Sequence, residues 1–344
     1  MKTACRVLQV GVGRQSRGGV SSFLQGIARF RKLNLSDFDF LEVQGSGGYL
    51  TKFKLLFSGF VKTIWRVPLH DIVHFHSTPG NCLLIQFPIL LYSKLCFKKV
   101  IVHIHVGNQI CHYRTSKLFY LFLRLADRVV VLAKVFEASI HNMGISPHKV
   151  STIYNPAPAI IHSSNKSKIL LYAAFMDKNK GYDTVIRAFA RIASDFPAWR
   201  LIMAGTGETD QARELVKQLG VEKQIEIKEW VEKEEKHDLF MKASVYCMAS
   251  EKEGFPMSVL EAWAYGLALV STTAGGLVDV LENNKNALVF SYNDSVGLSR
   301  QLWRIFQDES LRLRLSEESW NMAQNVFSSD ATEDSLLKLY GEIM

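Results

Sequence analysis

Two glutamates flank the predicted start of a helix. Glu253 follows an apolar run at residues 243–248, which predicts a buried strand, and Glu261 lies within the helix that comes next. Pro256 suits the start of that helix and Gly266 suits its end. At a rise of ~1.5 Å per residue, Glu261 lies roughly 7 Å along the helix axis from Pro256.

The chemistry open to this arrangement is the binding of a phosphorylated sugar. Free backbone N–H groups at a helix start favour an anion such as phosphate, and carboxylates accept hydrogen bonds from the vicinal hydroxyls of sugars. The spacing of Glu253 and Glu261 suits the span from a diphosphate to a ribose. A capping glutamate followed by a solvated helix glutamate would leave the same pattern, so spacing alone does not decide.

The segments around these glutamates predict a parallel sheet. A second apolar run at residues 268–270 ends at Gly275 and Gly276. Together with the preceding strand and helix, it predicts one crossover unit. Earlier in the chain, an apolar strand is predicted at residues 6–10, and a glycine-rich loop and a helical pattern follow it. Such a loop lets the backbone approach a phosphate, although many α/β turns look the same.

Histidines end two further predicted strands, at residues 71–76 and 100–105. Strand alternation places His103 and His105 on one face. Four histidines at two strand ends suggest a metal site, but the carboxylate partners and ligand spacing of a helix-borne zinc motif are absent. The sequence therefore predicts no metal site.

Composition favours a globular chain with an anionic partner. The 344 residues suit two domains, and the formal net charge of +8 allows nucleic acid, an acidic membrane face or phosphorylated substrates. Five cysteines without a Cys-x-x-Cys pair argue against a disulfide framework and favour the cytoplasm. No signal peptide is expected, and the longest apolar segment, residues 82–97, predicts a buried helix rather than a membrane span.

Two other segments leave alternatives open. Residues 52–67 interleave lysines and an arginine with aromatic residues, which suits a helix on an anionic membrane surface or an amphipathic helix packed on a sheet. Asp37 and Asp39 form an Asp-x-Asp pattern typical of metal sites. We expect a polar turn there, without a metal role.

The run Glu253-Gly254-Phe255-Pro256, with Leu260-Glu261-Ala262, Gly266 and Gly275-Gly276, resembles the donor-site signature of retaining glycosyltransferases with the GT-B fold. The likeness is to family four, and to its members that build bacterial surface polysaccharides. It implies that Glu253 contacts the donor sugar and that Glu261 contacts the ribose. It also implies donor contacts at Gly18, Gly19, Lys180, Gly205, Gly207, Val231, Gly254, Phe255, Pro256, Met257 and Ser258.

The Val-His-Ile-His-x-Gly run ending at Gly107 resembles the second signature of that family. The resemblance implies that His105 is the catalytic-cleft histidine alongside Glu253, that His103 is structural, and that His76 lies on the acceptor side. One departure concerns the diphosphate. Lys180 matches the phosphate-binding lysine of the family, but Phe175 stands where the family has an arginine, and Lys178 is a substitute candidate.

The resemblance also implies an α/β fold of two Rossmann-like domains facing a central cleft. We expect an acceptor-side domain at residues 1–156, a nucleotide-sugar-binding domain at 157–327, and a helix at 328–344 that crosses back to the first domain. Asn155 and Pro156 suit the linker.

The activity implied is transfer of a hexose or acetamidohexose, with retention of configuration, from a nucleotide-diphosphate sugar to a polyprenyl-diphosphate-linked saccharide. A UDP-sugar is favoured over a GDP-sugar, and no cofactor or metal is expected. The pathway would be lipopolysaccharide, O-antigen or capsule biosynthesis at the inner face of the cell membrane. The alternatives are a GT-B epimerase or phosphorylase, and a basic, non-catalytic protein that binds membranes or polyanions. Nucleic acid is not expected, because no recognised binding module is present.

Overall fold

The computed structural model describes residues 5–13, 19–27, 30, 32, 38–44, 49–160, 166–231 and 233–344. The chain divides into two compact units. The first comprises Met1–Pro156 together with Ser329–Met344, and the second comprises Ala157–Ser328. The sequence predicts these boundaries after residues 156 and 327.

The first unit is built on a parallel sheet that has six strands among the described residues. Its strands are β1 (Val7–Val12), β2 (Phe38–Gln44), β3 (Ile72–Ser77), β4 (Lys99–Ile104), β5 (Arg128–Val131) and β6 (Val150–Thr152). Their spatial order is β2-β1-β3-β4-β5-β6. The helices of this unit are α1 (Gly19–Ile27), α2 (Tyr49–Arg66), α3 (Asn81–Leu95), α4 (Lys117–Leu125), α5 (Val135–His141) and α12 (Ser329–Ile343).

The terminal helix α12 completes the core of the first unit. Its apolar face contributes Leu336, Leu339, Tyr340 and Ile343 to a buried cluster that also contains Val7 of β1 and Phe23 of α1. These side chains are spaced three and four residues apart, so they share one stripe of the helix. The chain thus returns to its first strand after building the second unit.

The second unit repeats the same architecture. Its strands are β7 (Ile169–Ala173), β8 (Arg200–Ala204), β9 (Ile225–Lys228), β10 (Val245–Met248), β11 (Ala268–Ser271) and β12 (Leu288–Val289). Its helices are α6 (Tyr182–Ala190), α7 (Thr209–Gln218), α8 (Lys233–Lys242), α9 (Met257–Ala264), α10 (Ser295–Gln307) and α11 (Glu309–Gln324). The core includes Trp199 stacked on Phe306, with ring centroids 3.8 Å apart.

Strand order identifies where ligands bind in such sheets. In the second unit the order β12-β11-β10-β7-β8-β9 means that the chain builds outward from β7 on one side and then resumes on the other side with β10. The first unit has the corresponding change between β1 and β3. Loops diverge at the carboxyl ends of the strands at such switch points, and ligands bind in the crevice they leave.

Two expectations from the sequence are wrong. Helix α3 was expected to be buried, but Leu84 is 65% exposed and Leu95 is 76% exposed, because only one side of the helix packs on the sheet. Asp39 was expected in a polar turn, but it lies in strand β2, where buried Leu41 and Val43 follow it. Among the described residues, no helix has the length and apolarity to cross a bilayer.

Candidate active site

Lys180 and Glu253 meet at the switch point of the second unit. Lys180 Nζ donates a hydrogen bond to Glu253 Oε1 at 2.6 Å, and Ser250 Oγ donates to the same oxygen at 2.7 Å. The Glu253 side chain is 14% exposed and the Lys180 side chain 24% exposed, so a ligand could still reach both. The structure therefore joins two predicted donor-binding residues that lie 73 positions apart in the sequence.

The loop after β7 is held tightly against the end of β10. Gly181 adopts a left-handed conformation (φ 66°), and a Cβ there would collide with the carbonyl oxygen of Ala249. Asp177 accepts a hydrogen bond from the Lys180 backbone N–H at 2.8 Å, and the Glu251 N–H donates to the Asn179 carbonyl at 2.8 Å. These contacts fix the backbone of Lys180 opposite the loop that carries Glu253.

A second glycine fixes that loop from the other side. Gly275 has φ 61°, and a Cβ on it would collide with the carbonyl oxygens of Glu253 and Gly254. The Gly276 N–H donates to the Gly254 carbonyl at 2.8 Å. The paired glycines at the end of β11 therefore let two backbone segments touch, which no other residue type would allow without displacing the loop.

Helix α9 starts directly after this loop. Pro256 is the residue before its first turn, and no side chain caps the helix. Phe255 and Pro256 are buried, with the Phe255 ring 5.0 Å from that of Phe327, so a ligand would meet their backbone rather than their side chains. Half-buried Met257 and Ser258 form the first turn, where backbone N–H groups remain free for an anion.

Glu261 has a partner that sequence reasoning missed. Lys236 of α8 donates to Glu261 Oε1 at 2.7 Å, and the Glu261 side chain is 25% exposed. Lys236 lies in a strongly charged helix, Lys233–Lys242, where one lysine looks like any other in the sequence. Only the packing of α8 beside α9 distinguishes it.

The loop after β8 holds Gly205 and Gly207 close to the end of β7. A Cβ at Gly205 would collide with the Ala174 carbonyl, and one at Gly207 with the Met176 carbonyl. Phe175, at the position where the resemblance implies an arginine, is 55% exposed. Val231 lies half-buried after β9, the strand at the edge of this sheet.

In the first unit, the predicted histidines converge beside α1. The rings of His103 and His105 stack with centroids 4.3 Å apart, and those of His74 and His76 with centroids 4.5 Å apart. The predicted shared face of His103 and His105 is confirmed. Phe23 of α1 packs against this group, with its ring 5.0 Å from that of His103.

The side chain of His76 is enclosed within this group. It is 1% exposed, and both ring nitrogens are engaged, with His105 Nε2 at 2.9 Å and Gln9 Oε1 at 2.7 Å. Its place on the acceptor side stays a prediction. His105, by contrast, is half-buried, and its Nδ1 forms no hydrogen bond with the described part of the chain. Gly18 lies outside the described residues, and Gly19 is the exposed first residue of α1.

The buried histidines are electrically neutral. Burial lowers the pKa of His105 to about 3. Burial, together with the repulsion that a protonated His105 would exert, lowers the pKa of His74 to about 3. Nitrogen atoms of His74, His76 and His103 lie within 4.8 Å of one another, which brings them within reach of a shared metal ion. However, His76 already uses both nitrogens. Among the described residues this group contains no carboxylate to offset a buried divalent charge.

A solved structure shows the fold of the chain. The crystal structure of Anabaena Alr3699/HepE in complex with UDP matches this chain with a TM-score of 0.78 at 15% identity. The match covers 98% of this chain and 100% of that one. The chain is therefore an α/β protein with the GT-B fold, and the predicted fold class is confirmed.

A family match falls on the second unit. Residues 156–322 match the family described as "Glycosyl transferases group 1". The lipopolysaccharide core biosynthesis glycosyltransferase LpsE of Rhizobium meliloti is 31% identical over 163 residues, which are 47% of this chain and 46% of that protein. The mannosylfructose-phosphate synthase of Agrobacterium fabrum is 30% identical over 183 residues, which are 51% of this chain and 40% of that enzyme. The chain thus spans less than half the length of these two relatives, and the predicted resemblance to glycosyltransferases is confirmed.

Proposed function

We propose that this protein is a retaining glycosyltransferase that takes a hexose or acetamidohexose from a nucleotide-diphosphate sugar. The observation that carries the proposal is the Lys180–Glu253 pair at the carboxyl ends of β7 and β10, directly before the uncapped start of α9. A cation, a carboxylate and free backbone N–H groups at one switch point suit a diphosphate with a sugar attached. The match of the second unit to the group 1 glycosyl transferases supports the same class of reaction.

On this proposal, donor binding redirects the ion pair. The diphosphate attracts Lys180 and the N–H groups of Met257 and Ser258, and Glu253 is released to accept hydrogen bonds from the donor sugar. Glu261 accepts from the ribose hydroxyls, with Lys236 beside it. Gly205, Gly207 and Val231 are proposed to contact the nucleotide through their backbones. UDP is the proposed nucleotide, supported by the UDP complex of the Anabaena protein.

The proposed chemistry is a front-face substitution at the anomeric carbon. The bond from that carbon to the diphosphate breaks, and its electron pair leaves with the nucleotide. An acceptor hydroxyl forms the new bond from the same face, and its proton passes to the departing phosphate oxygen, so configuration is retained. Lys180 and the helix N–H groups stabilise the charge that develops on the diphosphate. No metal or other cofactor is part of this proposal.

We further propose a lipid-linked saccharide as the acceptor, reached at an anionic membrane surface. The supporting feature, called here the Trp65–Phe97 surface, consists of Trp65, Leu69, Leu95 and Phe97, which are 74%, 57%, 76% and 94% exposed. Two hydrogen bonds join its segments, from Tyr92 Oη to the Ile64 carbonyl at 3.1 Å and from Lys98 Nζ to the Pro68 carbonyl at 2.9 Å.

Phe97 is the most informative residue of this surface. It has φ 57°, a left-handed conformation that usually belongs to glycine at a helix end. An almost fully exposed phenyl ring adds no packing to offset that strain. Lysines 62, 94, 98 and 99 lie in the same segments. Exposed aromatic and aliphatic side chains among lysines suit the interface of a membrane that contains anionic lipids.

The test is release of nucleotide from a panel of UDP- and GDP-sugars with a lipid-linked saccharide acceptor. Wild-type protein should release nucleotide far faster from one of these sugar nucleotides than from the others. Glu253→Gln, which keeps the shape but removes the charge, should lower the rate by about 100-fold or more, the size of effect seen when one transition-state contact is lost. Glu251→Gln is the matched control, because that side chain is 45% exposed and two residues away.

Each alternative function predicts a different result. An epimerase would invert a ring carbon of the sugar nucleotide without any acceptor, and a phosphorylase would require inorganic phosphate. A non-catalytic polyanion binder would release no nucleotide, and heparin and UDP would raise its melting temperature equally. Wild-type rates in Glu253→Gln would contradict the assignment of that residue.

A further inference from the structure

Five residues of the first unit form a continuous chain of hydrogen bonds. His105 Nε2 lies 2.9 Å from His76 Nδ1, and His76 Nε2 lies 2.7 Å from Gln9 Oε1. Gln9 Nε2 donates to the Tyr340 hydroxyl at 3.1 Å, and that hydroxyl lies 2.8 Å from His74 Nδ1. Four of the five side chains are buried, and the chain runs from strands β1 and β3 to helix α12 and out to half-buried His105.

Every member of this chain offers its neighbours one donor and one acceptor. A neutral imidazole has one N–H and one lone pair, and the Gln9 amide and the Tyr340 hydroxyl likewise donate on one side and accept on the other. The direction of one bond therefore sets the direction of all the others. Gln9 sets it here, because its carbonyl oxygen faces His76 and its amino group faces Tyr340.

Following this direction assigns each proton. His76 must carry its proton on Nε2 to donate to Gln9, so its Nδ1 accepts from the Nε2–H of His105. At the other end, the Tyr340 hydroxyl accepts from Gln9 and donates to His74 Nδ1. All three histidines of the chain then carry their single proton on Nε2.

We propose that His76, Gln9 and Tyr340 are positioning residues that hold His105 as the Nε2–H tautomer and so present an unprotonated Nδ1 to the substrate. His105 thus acts as a hydrogen-bond acceptor, suited to a hydroxyl of a substrate, and not as an acid. The identity of that ligand rests on the proposed function. The tautomer itself does not, since it follows from contacts within the first unit.

Burial makes this arrangement robust. It lowers the pKa of His76 well below 6.5, with further lowering by His74 and His105, so protonation does not interrupt the chain near neutral pH. The apolar ring of Phe23 covers the group, with its centroid 5.5 Å from that of His76 and 5.1 Å from that of His105. An unpaired donor or acceptor in such surroundings costs about 1–3 kcal/mol, which disfavours any mixed direction.

The direct test is a long-range ¹H–¹⁵N NMR spectrum of protein labelled at its 10 histidines. Single histidine-to-glutamine variants assign the signals. We expect His74, His76 and His105 each to show a protonated Nε2 and an unprotonated Nδ1 at pH 7. An Nδ1–H signal from His76 or His105, or a metal ion bound to these rings in the purified protein, would overturn the proposal.

Tyr340→Phe tests the dependence on the far end of the chain. Without the hydroxyl, the Gln9 amino group loses its acceptor and the link to His74, so the amide can turn and both tautomers of His76 and His105 should be populated. If half of the protein has the wrong tautomer, catalytic efficiency with the sugar nucleotide should fall roughly twofold, in proportion to the competent fraction. Tyr120→Phe on α4 is the control and should leave all three tautomers unchanged.

Gln9→Glu provides a second variant. A carboxylate accepts from both neighbours, so His76 and His105 should keep their Nε2–H tautomer, whereas Tyr340 should turn and His74 should become Nδ1–H. An unchanged tautomer of His74 would contradict the proposed chain of hydrogen bonds. Correct tautomers in a protein that transfers no sugar would overturn only the proposed function, and an active enzyme with the opposite tautomer would overturn only this inference.

Discussion

At the scale of single residues, the side chains of the candidate donor site bind one another in the positions where a ligand would otherwise bind. Lys180 and Ser250 both bond the same oxygen of Glu253, so the carboxylate is compensated while no diphosphate is present. A phosphate would compete with Glu253 for the lysine. Lys180 and Glu253 therefore compensate each other's largely buried charges, and both can change partners when a ligand binds.

Gly275 is the residue whose replacement should reveal how tightly this arrangement is held. In Gly275→Ala, the new methyl group would collide with the carbonyl oxygens of Glu253 and Gly254, and φ 61° would be strained. We expect a loss of about 1–3 kcal/mol in the free energy of unfolding and a large loss of nucleotide release. Chemical denaturation and the nucleotide-release assay would measure the two effects.

Gly341→Ala is the matched control for this prediction. A Cβ at Gly341 meets nothing within 4 Å, and the residue lies in helix α12. Alanine should stabilise such a helix position by about 0.5–1 kcal/mol. Equal effects of the two substitutions would show that the loop at Glu253 tolerates displacement.

These residues show which parts of the candidate site can be predicted from the sequence. Glu253 and Glu261 are found from their type and spacing beside a predicted helix, and Lys180 from its resemblance to a family motif. Lys236 and the hydrogen-bond chain through Gln9 and Tyr340 have no local signature, because Lys236 lies 25 positions from Glu261 and Gln9 lies 331 positions from Tyr340.

At the scale of elements, strands are easier to predict than the faces of helices. The strands predicted at residues 71–76 and 100–105 lie within one residue of β3 (Ile72–Ser77) and β4 (Lys99–Ile104). Helix α3 was placed correctly but expected to be buried, since a nearly continuous apolar run hides which side meets the sheet. Strand β2 was missed because the Asp-x-Asp pattern in the sequence suggests a turn, whereas Asp39 lies in the strand and is stabilised there by Arg66, 3.0 Å away.

The strands that carry the histidines make the first unit sensitive to acid. Burial lowers the pKa of His74 and His105 to about 3 and that of His103 well below 6.5. The unfolded chain takes up protons as the pH falls through about 6.5, but the folded unit does not. The contribution of these histidines to the free energy of unfolding is therefore fully present above pH 6.5. It is lost as the pH falls toward 3, by about 1.4 kcal/mol per pH unit for each histidine.

Thermal unfolding between pH 7 and pH 5 should show this loss. In His103→Leu, the slope of the free energy of unfolding against pH should fall by the equivalent of about one proton. His103 is the suitable position because neither of its ring nitrogens has a partner among the described residues, so leucine removes no hydrogen bond. His112→Gln, at an exposed position of the same unit, is the control. An identical slope in His103→Leu and wild type would contradict neutral burial of this ring.

At the scale of the whole molecule, a net charge of +8 favours association with anionic surfaces in general, and the Trp65–Phe97 surface would give that association an orientation. Long-range attraction falls with added salt, whereas insertion of aromatic rings does not. The two contributions can therefore be separated experimentally.

Sedimentation with vesicles is the measurement, using neutral lipid alone or neutral lipid mixed with anionic lipid. Phe97→Gly should weaken binding to the anionic vesicles by about 10-fold or more, from the loss of one buried phenyl ring. It should not destabilise the fold, because glycine accepts φ 57°. Leu313→Ala, at a 62% exposed position of α11, is the matched control. Unchanged binding by Phe97→Gly would remove this surface from the proposal.

The return of the chain to its first unit has a consequence for synthesis. Strand β1 leaves the ribosome before the second unit, but the apolar face that Leu336, Leu339 and Ile343 place over its neighbours emerges only after the entire second unit. The second unit can therefore finish folding during translation, whereas the first must wait with part of its interior uncovered. Chaperones that shield nascent apolar surface should accordingly engage the earlier half of the polypeptide for longer than the later half.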